Sequence, residues 1–181
     1  MAKSKTFGAA EIEAAIERLA AAISERHPAA KKILLLGIAN GGIELAKRLG
    51  ARLGLRAGIL DISFHRDDIG RHPIPKEFAP THIPGDVHGA TIILVDDVLF
   101  SGRTLKAALD EVFDHGRPTK VELAVLVDRG GRRLPFAADY VGLAIHPDAH
   151  EKVVVSLDPD SAQNDQIRLE PQSSANRHSA I

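Results

Sequence analysis

Between residues 9 and 26 the apolar positions Ile12, Ile16, Leu19 and Ile23 recur every three or four residues. This period predicts an amphipathic helix, with Glu13, Glu17 and Arg18 mostly on its solvated side. Residues 31–42, KKILLLGIANGG, instead form an unbroken apolar run that ends in a glycine-rich loop. Such a run predicts a strand buried on both faces. A helical period returns over 43–54 and stops at Gly54. Residues 57–65, AGILDISFH, alternate as a second strand. Residues 66–90 carry four Pro and three Gly without a period, and so long a loop in a compact domain is a functional flap or disordered. The stretch 92–109, IILVDDVLFSGRTLKAAL, reads as strand, turn and helix, closed by HGRP at 115–118. Strands are predicted over 120–128, 139–145 and 152–157, with a turn-rich connection at 129–138. The end, PQSSANRHSAI, has the composition of a disordered tail. No internal repeat is visible.

Apolar strands separated by helices imply an α/β fold with a mainly parallel sheet covered on both faces. In such sheets the ligand lies outside the carboxyl ends of the strands. Three loops fall at such ends, 37–42, 96–104 and 128–132, and topology alone predicts that they converge on one edge.

Composition narrows the class. The chain has 181 residues, enough for one domain with a proper core; we read residues 1–170 as that domain and 171–181 as a tail. A net charge of −1 excludes a global basic field for nucleic acid. No apolar run is long enough to span a bilayer. The start, MAKSKTFGAAEIEAA, lacks the apolar core of a signal peptide, so a cytoplasmic protein is expected. There is no Cys, which removes disulfides and thiolate chemistry. None of the nine His stands in an HxH or HExxH pattern, so no histidine-built metal site is expected.

The chemistry concentrates in 92–109. Asp96 and Asp97 are expected where the strand ends, with side chains departing in opposite directions unless the strand has given way to loop. Carboxylates accept hydrogen bonds from vicinal hydroxyls and hold Mg²⁺ directly or through water. Gly102 allows a positive φ or a close backbone approach. Ser101 or Thr104 can cap the following helix, whose free amides suit a phosphate. Acceptors for a sugar diol thus stand beside donors for a phosphate, and a phosphorylated pentose fits both. The alternative is a structural cap with incidental acids. The GxGxxG and GxxxxGK[ST] fingerprints are absent.

ILVDDVLFSGRT resembles the phosphoribosyl-pyrophosphate (PRPP) motif of type I phosphoribosyltransferases, in the variant of the PyrR family of pyrimidine operon attenuators and uracil phosphoribosyltransferases. LDISFHRDD (60–68), residues 83–118, LAVLVDRGGRRLPFAADYVG (123–142) and KVVVSLDPDSAQND (152–165) follow that family's pattern in order and spacing. The resemblance covers roughly residues 9–169. It implies a type I phosphoribosyltransferase fold with a flexible hood at about 66–90. It also implies that Asp96 and Asp97 meet the PRPP ribose hydroxyls and a water-bridged Mg²⁺. Val98, Ser101, Gly102, Arg103 and Thr104 would cradle the 5′-phosphate. Ala39, Asn40, Gly41 and Gly42 would form the pyrophosphate loop, where a non-proline cis peptide is expected within Asn40-Gly41-Gly42; a plain strand–helix turn is the alternative. Arg66 is the choice to meet pyrophosphate, with a solvated surface role equally open. Asp128, Arg129 and Gly130 are candidates for the uracil pocket.

Two departures from the family pattern stand out. The pyrophosphate loop lacks the basic residues of the Lys-Thr-Arg-Gly arrangement common in relatives. The RNA-binding side is also weakened. Ala21 and Gly131 replace expected His residues, and Lys32, Arg132 and Arg133 leave sparse positive charge, read mainly as solvated surface. The principal expectation is therefore an enzyme that makes UMP and pyrophosphate from uracil and PRPP. The alternative is a UMP-responsive attenuator that binds pyr leader RNA with little or no catalysis. Family likeness further implies a homodimer or higher homo-oligomer.

Overall fold

The computed structural model describes residues 6–28, 32–65 and 80–172. Arg66 and much of the expected hood lie outside these residues, as do 173–181. In chain order the elements are β1 (Thr6–Phe7), α1 (Ala9–Arg26), β2 (Ile33–Ile38), α2 (Gly42–Leu53), β3 (Ala57–Leu60), β4 (Thr91–Leu99) and α3 (Arg103–Asp114). They continue with β5 (Lys120–Asp128), β6 (Tyr140–Ala144), β7 (Glu151–Ser156), a 3₁₀ turn (Ala162–Asn164) and β8 (Gln166–Pro171). Five strands form a parallel sheet in the order β3-β2-β4-β5-β6. The remaining three pair antiparallel as β1-β8-β7.

The central strands are apolar throughout because both faces are covered. Leu35, Ile93, Val95 and Leu126 pack with Ile12, Ile16, Leu19 and Ile23 of α1 and with Leu45 and Leu49 of α2. The alternate residues Leu34, Leu36, Ile92, Leu94 and Val125 pack with Leu105, Ala108 and Val112 of α3. Ile167 and Leu169 of β8 join the α1 side, so the small sheet shares that core. α2 ends at Gly54 in the left-handed region, φ 67°.

Three boundaries differ from the sequence reading. β3 stops at Leu60 rather than continuing to 65. Asp61 ends it: its carboxylate accepts the Ser63 N–H at 2.9 Å and the Ser63 hydroxyl at 2.6 Å, a local turn that outcompetes the ladder. The strand at 151–156 joins the antiparallel sheet, not the parallel one. Its partner β8 is not among the strands the sequence predicts, and it includes Pro171, the first residue of the expected tail. Only two of its side chains, Ile167 and Leu169, alternate inward, too short a signal to stand out.

At the end of the sheet opposite the loops lies a buried charge. The Glu122 side chain has no exposed surface and accepts hydrogen bonds from Tyr140 Oη (2.6 Å) and Lys120 Nζ (2.5 Å), with His27 Nε2 at 2.7 Å. Burial pushes its pKa up, and the hydrogen bonds from Lys120, Tyr140 and His27 together outweigh it, lowering the pKa from 4.5 to about 2. A depressed carboxyl stabilises the fold above its unfolded pKa and loses that contribution as pH falls through the folded value. Glu122→Gln is therefore expected to cost on the order of 3 kcal/mol at neutral pH and to flatten the fall in stability between pH 4.5 and 2. Urea unfolding across that range checks this; parallel pH curves for the two proteins would refute it.

Candidate active site

β2, β4 and β5 are adjacent and parallel, so the loops that follow them emerge on one edge. The predicted convergence of 37–42, 96–104 and 128–132 is a direct consequence of that order.

The loop after β2 holds a cis peptide at Ala39–Asn40, one bond before the Asn40-Gly41-Gly42 stretch where it was expected. The Ala39 N–H donates to the Leu60 carbonyl at 2.9 Å, tying the loop to β3. α2 begins directly afterwards and runs hard against β4. A Cβ on Gly42 would lie 2.0 Å from the Val95 carbonyl oxygen, and one on Gly41 would lie 2.6 Å from the Asp97 carboxylate. The two positions differ in kind: at Gly42 a side chain would meet fixed backbone, at Gly41 the movable end of a side chain.

Asp96 and Asp97 do not stand where the strand ends. β4 continues to Leu99, with Val98 opposite Val127 and Leu99 opposite Asp128. The two carboxylates nonetheless stay within hydrogen-bonding reach of each other. Asp97 reaches the glycine loop, while Asp96, buried, lines a cavity of about 100 Å³ with Val98, Ser101, Gly102 and Thr104. The Asp97 N–H donates to Asp96 Oδ1 at 3.0 Å. Burial raises the Asp96 pKa, with the Asp97 charge adding to it, and burial likewise raises Asp97. Two adjoining acids held above their usual range are a donor set suited to a hard divalent cation, which would relieve their repulsion.

α3 opens at Gly102, φ 92°, a conformation reserved for glycine. Ser101, not Thr104, reaches an amide here: its Oγ accepts the Arg103 N–H at 3.3 Å. The next amides of the first helical turn have no intrahelical acceptor. The Ser101 carbonyl accepts the Arg133 and Leu134 N–H groups, both at 3.0 Å, so the loop after β5 folds across this turn.

That loop is held by a residue the sequence reading placed mainly at the solvated surface. Arg132 pairs with Asp128 Oδ2 at 2.5 Å and donates to the carbonyls of Phe100 (3.0 Å) and Phe136 (3.1 Å). It staples the loops after β4 and β5 together. Lys32 is likewise paired, with Asp86 at 3.2 Å. Burial works against the Asp128 carboxylate, and Arg132 with the Gly130 N–H outweighs it, leaving Asp128 below its usual pKa. The Arg129 guanidinium lies 4.0 Å above the Phe100 ring, its Nε is buried without a partner, and burial lowers its pKa. Gly130 and Gly131 both have positive φ, 69° and 74°, and a Cβ on Gly131 would strike Phe100 at 2.7 Å. Phe100 is not among the candidate residues read from the sequence; its signal is an aromatic at a loop position directly before a Ser-Gly-Arg-Thr turn. Among the described residues no helix is long and apolar enough to cross a membrane.

A five-stranded parallel sheet with an acidic strand, a glycine loop and an amide-rich helix start on one edge is the architecture of a phosphoribosyltransferase. The family described as phosphoribosyl transferase domain matches residues 8–161. The hypoxanthine phosphoribosyltransferase of Trypanosoma cruzi shares the fold, with a TM-score of 0.65 at 22% identity, over 92% of this chain and 95% of that one. Sequence relatives are nearer. The Bifunctional protein PyrR of Roseiflexus sp. (strain RS-1) is 43% identical over 84% of this chain and 87% of its own length. That of Streptomyces coelicolor is 48% identical over 80% of this chain and 78% of its own. The chain belongs to the PyrR family of phosphoribosyltransferases.

Proposed function

We propose that the protein transfers the ribosyl group of PRPP to uracil, forming UMP and pyrophosphate. The observation that carries this reading is the contact of the Asp97 carboxylate with Gly41. This proximity supports reading Asp97 as the sugar-binding acid and the glycine loop as the anion site, the pairing an activated phosphoribose requires. Asp96 and Asp97 would hold the ribose hydroxyls and, through water, Mg²⁺, which when bound supplies neutralisation of the pyrophosphate charge. Val98, Ser101, Gly102, Arg103 and Thr104 cradle the 5′-phosphate at the start of α3, where free amides and the helix dipole favour an anion. Ala39, Asn40, Gly41 and Gly42 receive pyrophosphate, and Arg66 meets it from the hood. Asp128, Arg129 and Gly130 line the base pocket, their loop fixed by Arg132. In the reaction the bond from ribose C1 to pyrophosphate oxygen breaks ahead of bond formation to N1 of uracil, and the N1 proton is released. The site lowers the barrier mainly by alignment and by stabilising departing charge.

The test is turnover of uracil with PRPP and Mg²⁺, read as UMP and pyrophosphate by chromatography, beside a gel shift on pyr leader RNA at physiological salt with and without UMP. UMP formation with hypoxanthine rejected supports the proposal. A UMP-dependent shift without turnover would replace it with the attenuator reading. The pairing of Lys32 and Arg132 within the chain withdraws two of the few cations available for RNA phosphates.

A further inference from the structure

A second cluster of ligating side chains lies away from the loops just described, on the α3 side of the sheet. His65 follows the turn that ends β3. Its Nε2 lies 3.0 Å from Glu111 Oε2 and 3.3 Å from Asp114 Oδ2, both on the last turns of α3. Ligating atoms of the three residues lie within 4.8 Å of one another. Bonds of about 2.0–2.2 Å at tetrahedral angles require ligand–ligand edges of about 3.3–3.5 Å. The two contacts already fall within a few tenths of an ångström of such an edge.

The glutamate is also oriented for this task. Its other oxygen, Oε1, accepts the Thr81 hydroxyl at 2.7 Å and lies 3.1 Å from His115 Nε2. Both partners grip Oε1 and leave Oε2 aimed at His65. Outer groups that hold a carboxylate in this way set the geometry of metal ligands. Thr81 is itself fixed, because its Oγ1 accepts the Asp61 N–H at 3.0 Å. One imidazole and two carboxylates favour a borderline ion over Mg²⁺, which prefers an all-oxygen shell.

We propose that His65, Glu111 and Asp114 bind a divalent transition-metal ion of the zinc class, with a fourth position left to water. The site joins three parts of the chain that sequence holds apart. His65, in the turn after β3, and Thr81 both converge on Glu111 of α3. A bound ion would therefore tie the turn after β3 to the helix that begins at the Ser101–Thr104 turn. The proposal stands independently of the substrate assignment, since its ligands are not those of the catalytic edge.

The experiment uses the full chain, freed of metal by chelation and titrated with Zn²⁺ by calorimetry and with Co²⁺ by visible absorption, with Mg²⁺ as competitor. The expected result is one site per chain, the strong visible bands of a four-coordinate Co²⁺ ion, a rise in Tm with Zn²⁺, and no displacement by Mg²⁺. His65→Ala and Asp114→Asn are each expected to weaken Zn²⁺ binding at least about tenfold. His88→Ala, at an exposed position elsewhere, leaves it unchanged. Asp114 is mostly exposed, so its variant keeps the fold testable. Wild-type protein that takes up no Zn²⁺, or that binds it as tightly after His65→Ala and Asp114→Asn, would reduce the cluster to an ion-pair network and overturn the proposal.

Discussion

Asp97→Asn is expected to lower kcat/KM for PRPP by about 10²–10³-fold while leaving the melting temperature equal to or above that of the parent. On the proposed assignment, the loss follows from removing a charged acceptor for the ribose and its cation, a contact of about 3–4 kcal/mol when it strengthens in the transition state. The stability gain follows from burial, which raises the pKa of Asp97 and, with the Asp97 charge, that of Asp96. A carboxyl whose folded pKa is raised destabilises the fold once pH exceeds its unfolded value, and the penalty is complete above the folded pKa. Without ligand, the parent should therefore lose stability relative to Asp97→Asn as pH climbs from the ordinary carboxylate range toward neutrality. Steady-state kinetics and thermal melts between pH 4 and 8 test both halves. Unchanged kinetics would remove Asp97 from the site; a lower Tm at neutral pH would show that its charge is compensated. Such an exchange of stability for activity is common where a site concentrates like charge.

The second large effect separates two neighbouring glycines. Gly42→Ala is expected to prevent folding, or to cost more than about 3 kcal/mol, because the new methyl would lie 2.0 Å from a carbonyl oxygen of the central strand. The strand cannot retreat, since it is packed on both faces. Gly41→Ala meets only the Asp97 carboxyl, at 2.6 Å, and its backbone φ of −59° suits alanine. The carboxylate can swing away, so stability should change by less than about 1 kcal/mol while kcat/KM falls at least tenfold as Asp97 leaves its place. Circular dichroism, melting curves and kinetics on both variants distinguish the cases. A well-folded Gly42→Ala, or a fully active Gly41→Ala, would contradict the packing described for this loop.

The sequence by itself determined the α/β class, the helices α1–α3, the strands of the parallel sheet and the edge where the loops gather. These follow from periodicity and from strands apolar on both faces, which are local properties of the chain. It also singled out Asp96, Asp97, Gly41 and Gly42 as chemically significant residues, because paired acids are rare in buried strands and paired glycines directly after a strand mark a loop that needs backbone freedom or close approach. The tertiary structure decided what depends on residues distant in sequence. It set the two aspartates inside the strand rather than at its end, since only the ladder with β5 shows that β4 runs on to Leu99. It made Arg132 a staple rather than surface charge, by bringing the carbonyls of Phe100 and Phe136 within its reach. It joined β8 to β7 through side chains too few to signal alone, and it assembled His65 with Glu111 and Asp114 across more than forty residues of chain. A hydrogen-bond or ligand constellation has no period along the backbone. It exists only once the sheet order and helix packing have placed its members side by side.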